Sequence, residues 1–192
     1  MMERTSLSVP TTLWTLGHSN VSLESFLELA TSFDLRALGD VRSFPASRRH
    51  PHFSRESLEQ ALPQHGIEYR WFPGLGGRRK PRAGSPHHAW RVEGFRAYAD
   101  YMETPEFEQA LAEFLVWVDE RRTGFFCAER LWWQCHRRVL ADRLVTRGIQ
   151  VRHILAPGKD EPQVLTEFAR LEGDRLVYDR DLFEGETKTA GS

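Results

Sequence analysis

The chain has 192 residues, 40% of them apolar, and a formal net charge of -1, which is the size and content of one ordinary domain able to bury its own core. That balance of charge excludes wholesale electrostatic adhesion to nucleic acid, no apolar run is long enough to cross a bilayer, and two cysteines are too few for a secreted disulfide scaffold. The opening residues MMERTSLSVPTTLW lack the basic flank and apolar stretch of a signal peptide, so a cytoplasmic location and no membrane partner are expected.

Residues 1–11 form an N-terminal segment, after which LWTLG (13–17) has the character of a strand. Ser22 caps a helix whose Leu23, Phe26, Leu27 and Ala30 follow the i, i+3, i+4, i+7 spacing. LRALGDV (35–41) is a second strand, followed by the arginine-rich loop RSFPASRRHPHF. Ser54 then caps a helix through Leu58 and Leu62 that His65-Gly66 terminates. IEYRWF (67–72) alternates like a strand and runs into a long Gly/Pro/Arg loop, a length that is uncommon in a compact domain without a function. The longest helical stretch, about 95–120, is broken or restarted at Thr104-Pro105. TGFFCA is a fourth strand, CHRRVLADRLVTRG a helix and VRHIL a fifth strand. The core is expected over 12–158, and 159–192 as an extension carrying one helix or hairpin and a flexible tail. Strands alternating with helices predict a single α/β domain, a mostly parallel sheet flanked by helices in a Rossmann-like three-layer arrangement.

In such sheets ligands bind beyond the carboxyl ends of the strands. The residues leaving those ends are His18-Ser19, Asp40 to Arg42, Gly76-Gly77 and Cys127 to Glu129, with Cys135-His136-Arg137 beginning the next helix. Three chemistries compete for this rim. A metal would draw on Cys127, Cys135, His136 and His18, but C-x7-C fits no compact zinc template, so no metal or other cofactor is expected. A thiol nucleophile would be Cys135, beside the positive end of a helix, His136 and Arg137, while a Cys127–Cys135 disulfide has an unfamiliar spacing. Acid–base chemistry would use Asp40 and Glu129, since a carboxylate crowded by Phe126, Trp132 and Trp133 keeps its proton toward neutral pH. Arg42, Arg48 and Arg137, with backbone N–H groups of Gly76 and Gly77, would clamp an anion. The aromatic pairs at 71–72 and 132–133 are candidate base-stacking platforms.

Five motifs, T-L-G-H-S at 15–19, D-V-R-x-x-P-x-S-R at 40–48, L-G-G at 75–77, Y-M-x-T-x-x-F at 101–107 and C-A-E-x5-C-H-R at 127–137, together resemble the bacterial and archaeal family called domain of unknown function 488. The resemblance spans about 12–155. It implies that His18, Ser19, Asp40, Arg42, Pro45, Ser47, Arg48, Gly76, Gly77, Cys127, Glu129, Cys135, His136 and Arg137 occupy signature positions, the same rim reached from the strand ends. The expectation is an enzyme, such as a hydrolase or glycosyl-bond-cleaving enzyme, acting on a nucleotide, nucleoside or nucleic-acid-derived anion. Glu129, Asp40, Cys127 and Cys135 are its catalytic candidates, and His18, Ser19, Arg42, Ser47, Arg48, Gly76, Gly77, His136 and Arg137 its binding candidates. A non-catalytic sensor or nucleic-acid-binding module, and a thiol- or metal-dependent protein, are the alternatives.

Overall fold

The computed structural model describes residues 12–46, 49–118 and 121–180. Five parallel strands, β1 (Thr12–Gly17), β2 (Ala37–Asp40), β3 (Glu68–Trp71), β4 (Thr123–Cys127) and β5 (Gln150–Ala156), build one sheet. A sixth, β6 (Lys159–Pro162), joins β5 antiparallel, and the order across the sheet is β3-β2-β4-β1-β5-β6. The helices are α1 (Leu23–Thr31), α2 (Arg55–Gln64), α3 (Glu93–Tyr101), α4 (Pro105–Val118) and α5 (Arg137–Thr146). This is a Rossmann-like three-layer α/β fold, and among the described residues no helix is long and apolar enough to cross a membrane.

The helix starts are local chemistry. The Ser22 and Ser54 hydroxyls accept the N–H groups of Ser25 and Ser57, both at 3.2 Å. The Thr104 hydroxyl accepts from Phe107 N–H at 3.3 Å, which starts α4 separately from α3 with Pro105 at its first position. Burial then sorts the chain by face. Leu16, Phe26, Leu58, Leu62 and Phe126 form one core under α1 and α2, while Leu13, Phe107, Phe114, Phe125, Leu140 and Leu144 form the other under α3, α4 and α5. Neighbours Phe125 and Phe126 fall in opposite cores, as the period of two in a strand demands.

The two faces follow from connection direction. From β1 the chain steps outward to β2 and β3 through α1 and α2, then returns to β4 and β5 through α3, α4 and α5. Right-handed crossovers put outward and returning helices on opposite faces. The reversal leaves a crevice at the carboxyl ends of β1, β2 and β4. Beyond Gly158, whose φ of +67° turns the chain back, the stretch read from sequence as an extension supplies β6 to the core sheet. It continues into a hairpin of β7 (Ala169–Glu172) and β8 (Arg175–Tyr178). The segments 1–11 and 181–192 lie outside the described residues.

Candidate active site

At the carboxyl ends of β2 and β4 lies a cleft of about 610 Å³. Of the residues expected at this rim, Arg42, Gly77, Cys127, Glu129, Cys135 and His136 line it. Phe44, Arg78, Phe95 and Gln134 line it too; Phe95 stands on the first turn of α3 and Gln134 in a 3-10 turn, and tertiary packing brings all four to the cleft. Ser47 and Arg48 lie outside the described residues.

Asp40 does not line the cleft. It is fully buried, and its Oδ1 accepts from the Arg42 backbone N–H at 3.0 Å and from Arg42 Nε at 2.8 Å. Its Oδ2 accepts from Arg42 Nη2 at 2.5 Å and from the Tyr69 hydroxyl at 2.8 Å. A carboxylate so committed has no free position for a substrate proton, so the acid–base pair of Asp40 with Glu129 expected from sequence is not assembled. What Asp40 does is fix the guanidinium of Arg42 by a bidentate fork. Arg42 Nη1 also donates to the Phe53 carbonyl at 2.7 Å and to His18 Nε2 at 3.2 Å. Because Arg42 can only donate, His18 Nε2 is the acceptor and its Nδ1–H donates to the Ser19 carbonyl at 2.8 Å. His18 therefore supports Arg42 from behind, stacked 4.0 Å from Phe53, and does not reach the cleft.

The two cysteines meet at the cleft wall. The His136 Nδ1 lies 3.6 Å from Cys135 Sγ and 3.9 Å from Cys127 Sγ, and Arg137 Nε donates to Cys135 Sγ at 3.3 Å. At Cys135 burial pushes the thiol up, but the hydrogen bond from Cys127 and the adjacent Arg137 and His136 outweigh it and hold the thiol well below its ordinary range. The Cys127 thiol, donating to Cys135 and itself buried, is pushed up. The two shifts run in opposite directions, and the chain at Cys135 enters α5 at the helix's positive end, which favours a thiolate there. The same three donor atoms, all within 4.8 Å of one another, are a set that could hold a soft cation. Beside the Arg137 guanidinium a divalent ion on two thiolates would leave net positive charge in a buried cluster, whereas one proton or a soft monovalent ion leaves none.

Arg137, 1% exposed, has no carboxylate partner among the described residues. Its Nη2 donates to the Glu129 carbonyl and its Nη1 to Thr15 Oγ1 at 3.3 Å. From Thr15 a single polarised chain continues: Thr15 to His153 Nδ1 at 2.8 Å, His153 Nε2 to Gln163 Oε1 at 2.6 Å, and Gln163 Nε2 to Asp142 Oδ1 at 2.7 Å. The acceptor-only carboxylate at one end and the donor-only guanidinium at the other fix the direction of every hydrogen. The buried cation is balanced by Cys135 at first hand and by Asp142 through four hydrogen bonds.

The chain requires a neutral His153, and burial with the nearby Arg137 lowers its pKa to about 4; burial and Arg42 lower His18 likewise to about 4. Above about pH 6.5 both imidazoles are neutral folded or unfolded, so nothing is lost. As pH falls toward 4 the unfolded chain takes protons the folded chain refuses, and each site withdraws on the order of 3 kcal/mol. Urea unfolding at pH 7 and about pH 5 should show about 2 kcal/mol of that loss per site, and His153→Gln should flatten the dependence.

Two glycines admit these approaches. A Cβ on Gly77 would stand 2.5 Å from His136 Cγ and Nδ1, and one on Gly17 would stand 1.8 Å from the Glu129 carbonyl oxygen. Gly77 therefore sets the position of His136. The expected backbone clamp is not assembled at Gly76, whose N–H is committed to the Pro73 carbonyl at 3.0 Å. Gly77→Ala should displace the imidazole and slow Cys135 alkylation at neutral pH by about tenfold with modest loss of stability, read by mass spectrometry of the labelled peptide. Ser19, at φ +48°, lines a neighbouring cleft which shares Glu129 with the first. Of the expected stacking aromatics, Phe72 is buried in the core, Trp71 donates to the Arg42 carbonyl at 2.9 Å, and Trp132 stacks on His153 at 4.0 Å. Trp133 alone of the four is exposed, at 42%.

The family model described as Domain of unknown function DUF488 matches residues 22–144, a span that holds the arginine loop, the long Gly/Pro/Arg loop and the whole of 127–137. No curated protein matches the chain, and no solved structure does.

Proposed function

The chain belongs to the DUF488 family, a domain of unknown function, and from that premise we propose that it is an enzyme using the Cys135 thiolate on a nucleotide-derived anionic substrate held in the strand-end cleft. The observation that carries this is a buried guanidinium, Arg137, that has no carboxylate partner among the described residues and donates to a sulfur at the wall of a cleft. A structural thiol needs no such partner, whereas a nucleophile does. Arg42, held rigid by Asp40, and the exposed Arg78 face the cleft to receive the substrate's negative groups. Glu129, exposed at the rim, is placed to exchange protons with the leaving group or with water. His136 Nε2, buried and without a hydrogen-bond partner among the described residues, offers one further polar contact.

In this reading Cys135 Sγ attacks the electrophilic centre, and the leaving group departs with the bonding pair and a proton from Glu129. Water deprotonated by Glu129 then displaces the sulfur. The experiment is mass spectrometry of the protein incubated with a panel of nucleotides and nucleosides. With a substrate whose leaving group needs no proton, Glu129→Gln should accumulate an adduct on the peptide containing Cys135 while turnover falls on the order of a hundredfold or more, and Cys135→Ala should give neither adduct nor turnover. A ligand that binds with no turnover and no adduct in any of the three proteins would make the cleft a sensor instead.

A further inference from the structure

The central cleft does not end at its own walls. It shares Val92 and Phe95 with a neighbour of about 560 Å³, and Glu129 and Gln134 with the neighbour of about 700 Å³ that holds Ser19. Trp133 lines both outer clefts. The three are one groove running across the carboxyl edge of the sheet, and each section alone has the size of a small-ligand pocket.

Many surface arginines meet acids, Arg55 with Glu59, Arg121 with Glu68, Arg152 with Asp160 and Arg170 with Asp179, while others, such as Arg36, Arg70 and Arg122, stand exposed without one. In the groove Arg78, Arg91, Arg130 and Arg180 are exposed and have no carboxylate partner among the described residues. Only Glu28 and Glu129 bring carboxylates to its lining. The same groove holds two of the most exposed aromatic rings among the described residues, Phe44 at 70%, with the Arg78 guanidinium 5.6 Å over it, and Trp133 at 42%. Exposed rings and unpaired cations in one groove match the alternation of bases and phosphates in a single strand. An acidic peptide would satisfy the cations but leave the rings without a partner.

We propose that the groove binds single-stranded nucleic acid and presents one nucleotide of it to Cys135 and Glu129, which makes the substrate a polymer. This deepens the thiolate reading and rests on the cleft being its active site. The binding test is made on both the unaltered protein and Cys135→Ser, so that binding and chemistry can fail separately.

The probe is a fluorescently labelled oligothymidylate of about twelve nucleotides, within the length such grooves span, read by anisotropy at several salt concentrations. With four phosphates neutralised, log K should fall with log salt with a slope of about -3. Arg78→Gln, Arg91→Gln and Arg130→Gln together should reduce that slope to about -0.7. Trp133→Ala should weaken binding about tenfold and leave the slope alone. A duplex of the same sequence should bind at least about tenfold more weakly, because its bases are not free to stack. Equal affinity for duplex, an unchanged slope in the triple variant, or polyglutamate competing as well as the oligonucleotide would overturn the proposal. A mononucleotide matching the dodecamer in affinity would overturn the polymer claim and leave the thiolate reading standing; failure of Cys135 to react with oligonucleotide bound in place would do the reverse.

Discussion

Arg137→Met is expected to destabilise the fold by about 3 kcal/mol and to return Cys135 to the reactivity of an ordinary buried thiol. The guanidinium gathers acceptors from three places that are distant along the chain: Thr15 on β1, the Glu129 carbonyl after β4, and Cys135 before α5. A thioether of similar reach fills the volume but donates nothing, so two buried oxygens lose their donor and the chain through His153 loses its positive end. The thiolate loses its counter-charge and takes up a proton. Alkylation of Cys135 near neutral pH should then slow on the order of a hundredfold, while the alkaline rate changes little. Arg137→Lys separates charge from geometry: an ammonium keeps the cation without the fork, so it should recover part of the reactivity and less of the stability. Equilibrium unfolding and site-resolved labelling measure the two effects independently.

Asp40→Asn should cost about 3–5 kcal/mol, because it leaves Arg42 charged, 6% exposed and without its carboxylate. Arg42→Met should cost a similar amount by leaving the buried carboxylate without a cation, held only by the Tyr69 hydroxyl and the backbone N–H at position 42. The double replacement should cost clearly less than the two together, since both charges are then gone. Activity should distinguish the members of the pair. Substrate affinity should fall in both single variants, and Tyr69→Phe, which removes a donor from Asp40 without touching Arg42, should leave affinity nearly unchanged. Denaturant midpoints for the four proteins of the cycle, with binding of the same ligand, supply the measurement.

What could be seen in the sequence was what the chain decides locally. Ser22, Ser54 and Thr104 announce their helices because a hydroxyl three residues before an N–H needs nothing else. Cys135, His136 and Arg137 could be read as one reactive group because they are neighbours. The insertion of β4 between β2 and β1 depends on where the chain reverses direction, and short strand patterns do not carry that information. Asp40 resembles a catalytic carboxylate when seen alone, and its burial becomes evident only once Tyr69 and Arg42 are placed around it. The role of His153 and Thr15 in balancing Arg137 needs three strands in register. The stretch after Gly158 has no apolar alternation because β6, with the pattern Lys-Asp-Glu-Pro, sits at the sheet's edge and is held by its backbone and by Asp160 bound to Arg152.

The account turns on a thiolate at Cys135, and its pH profile of alkylation tests this most directly. With iodoacetamide, site-resolved by mass spectrometry from about pH 5 to about pH 9, the rate at Cys135 should already be near its plateau at about pH 6, where an ordinary thiol of pKa about 8.5 is under 1% ionised. Cys127 should lag far behind. A single rise for Cys135 centred at about pH 8.5 or higher would contradict the account.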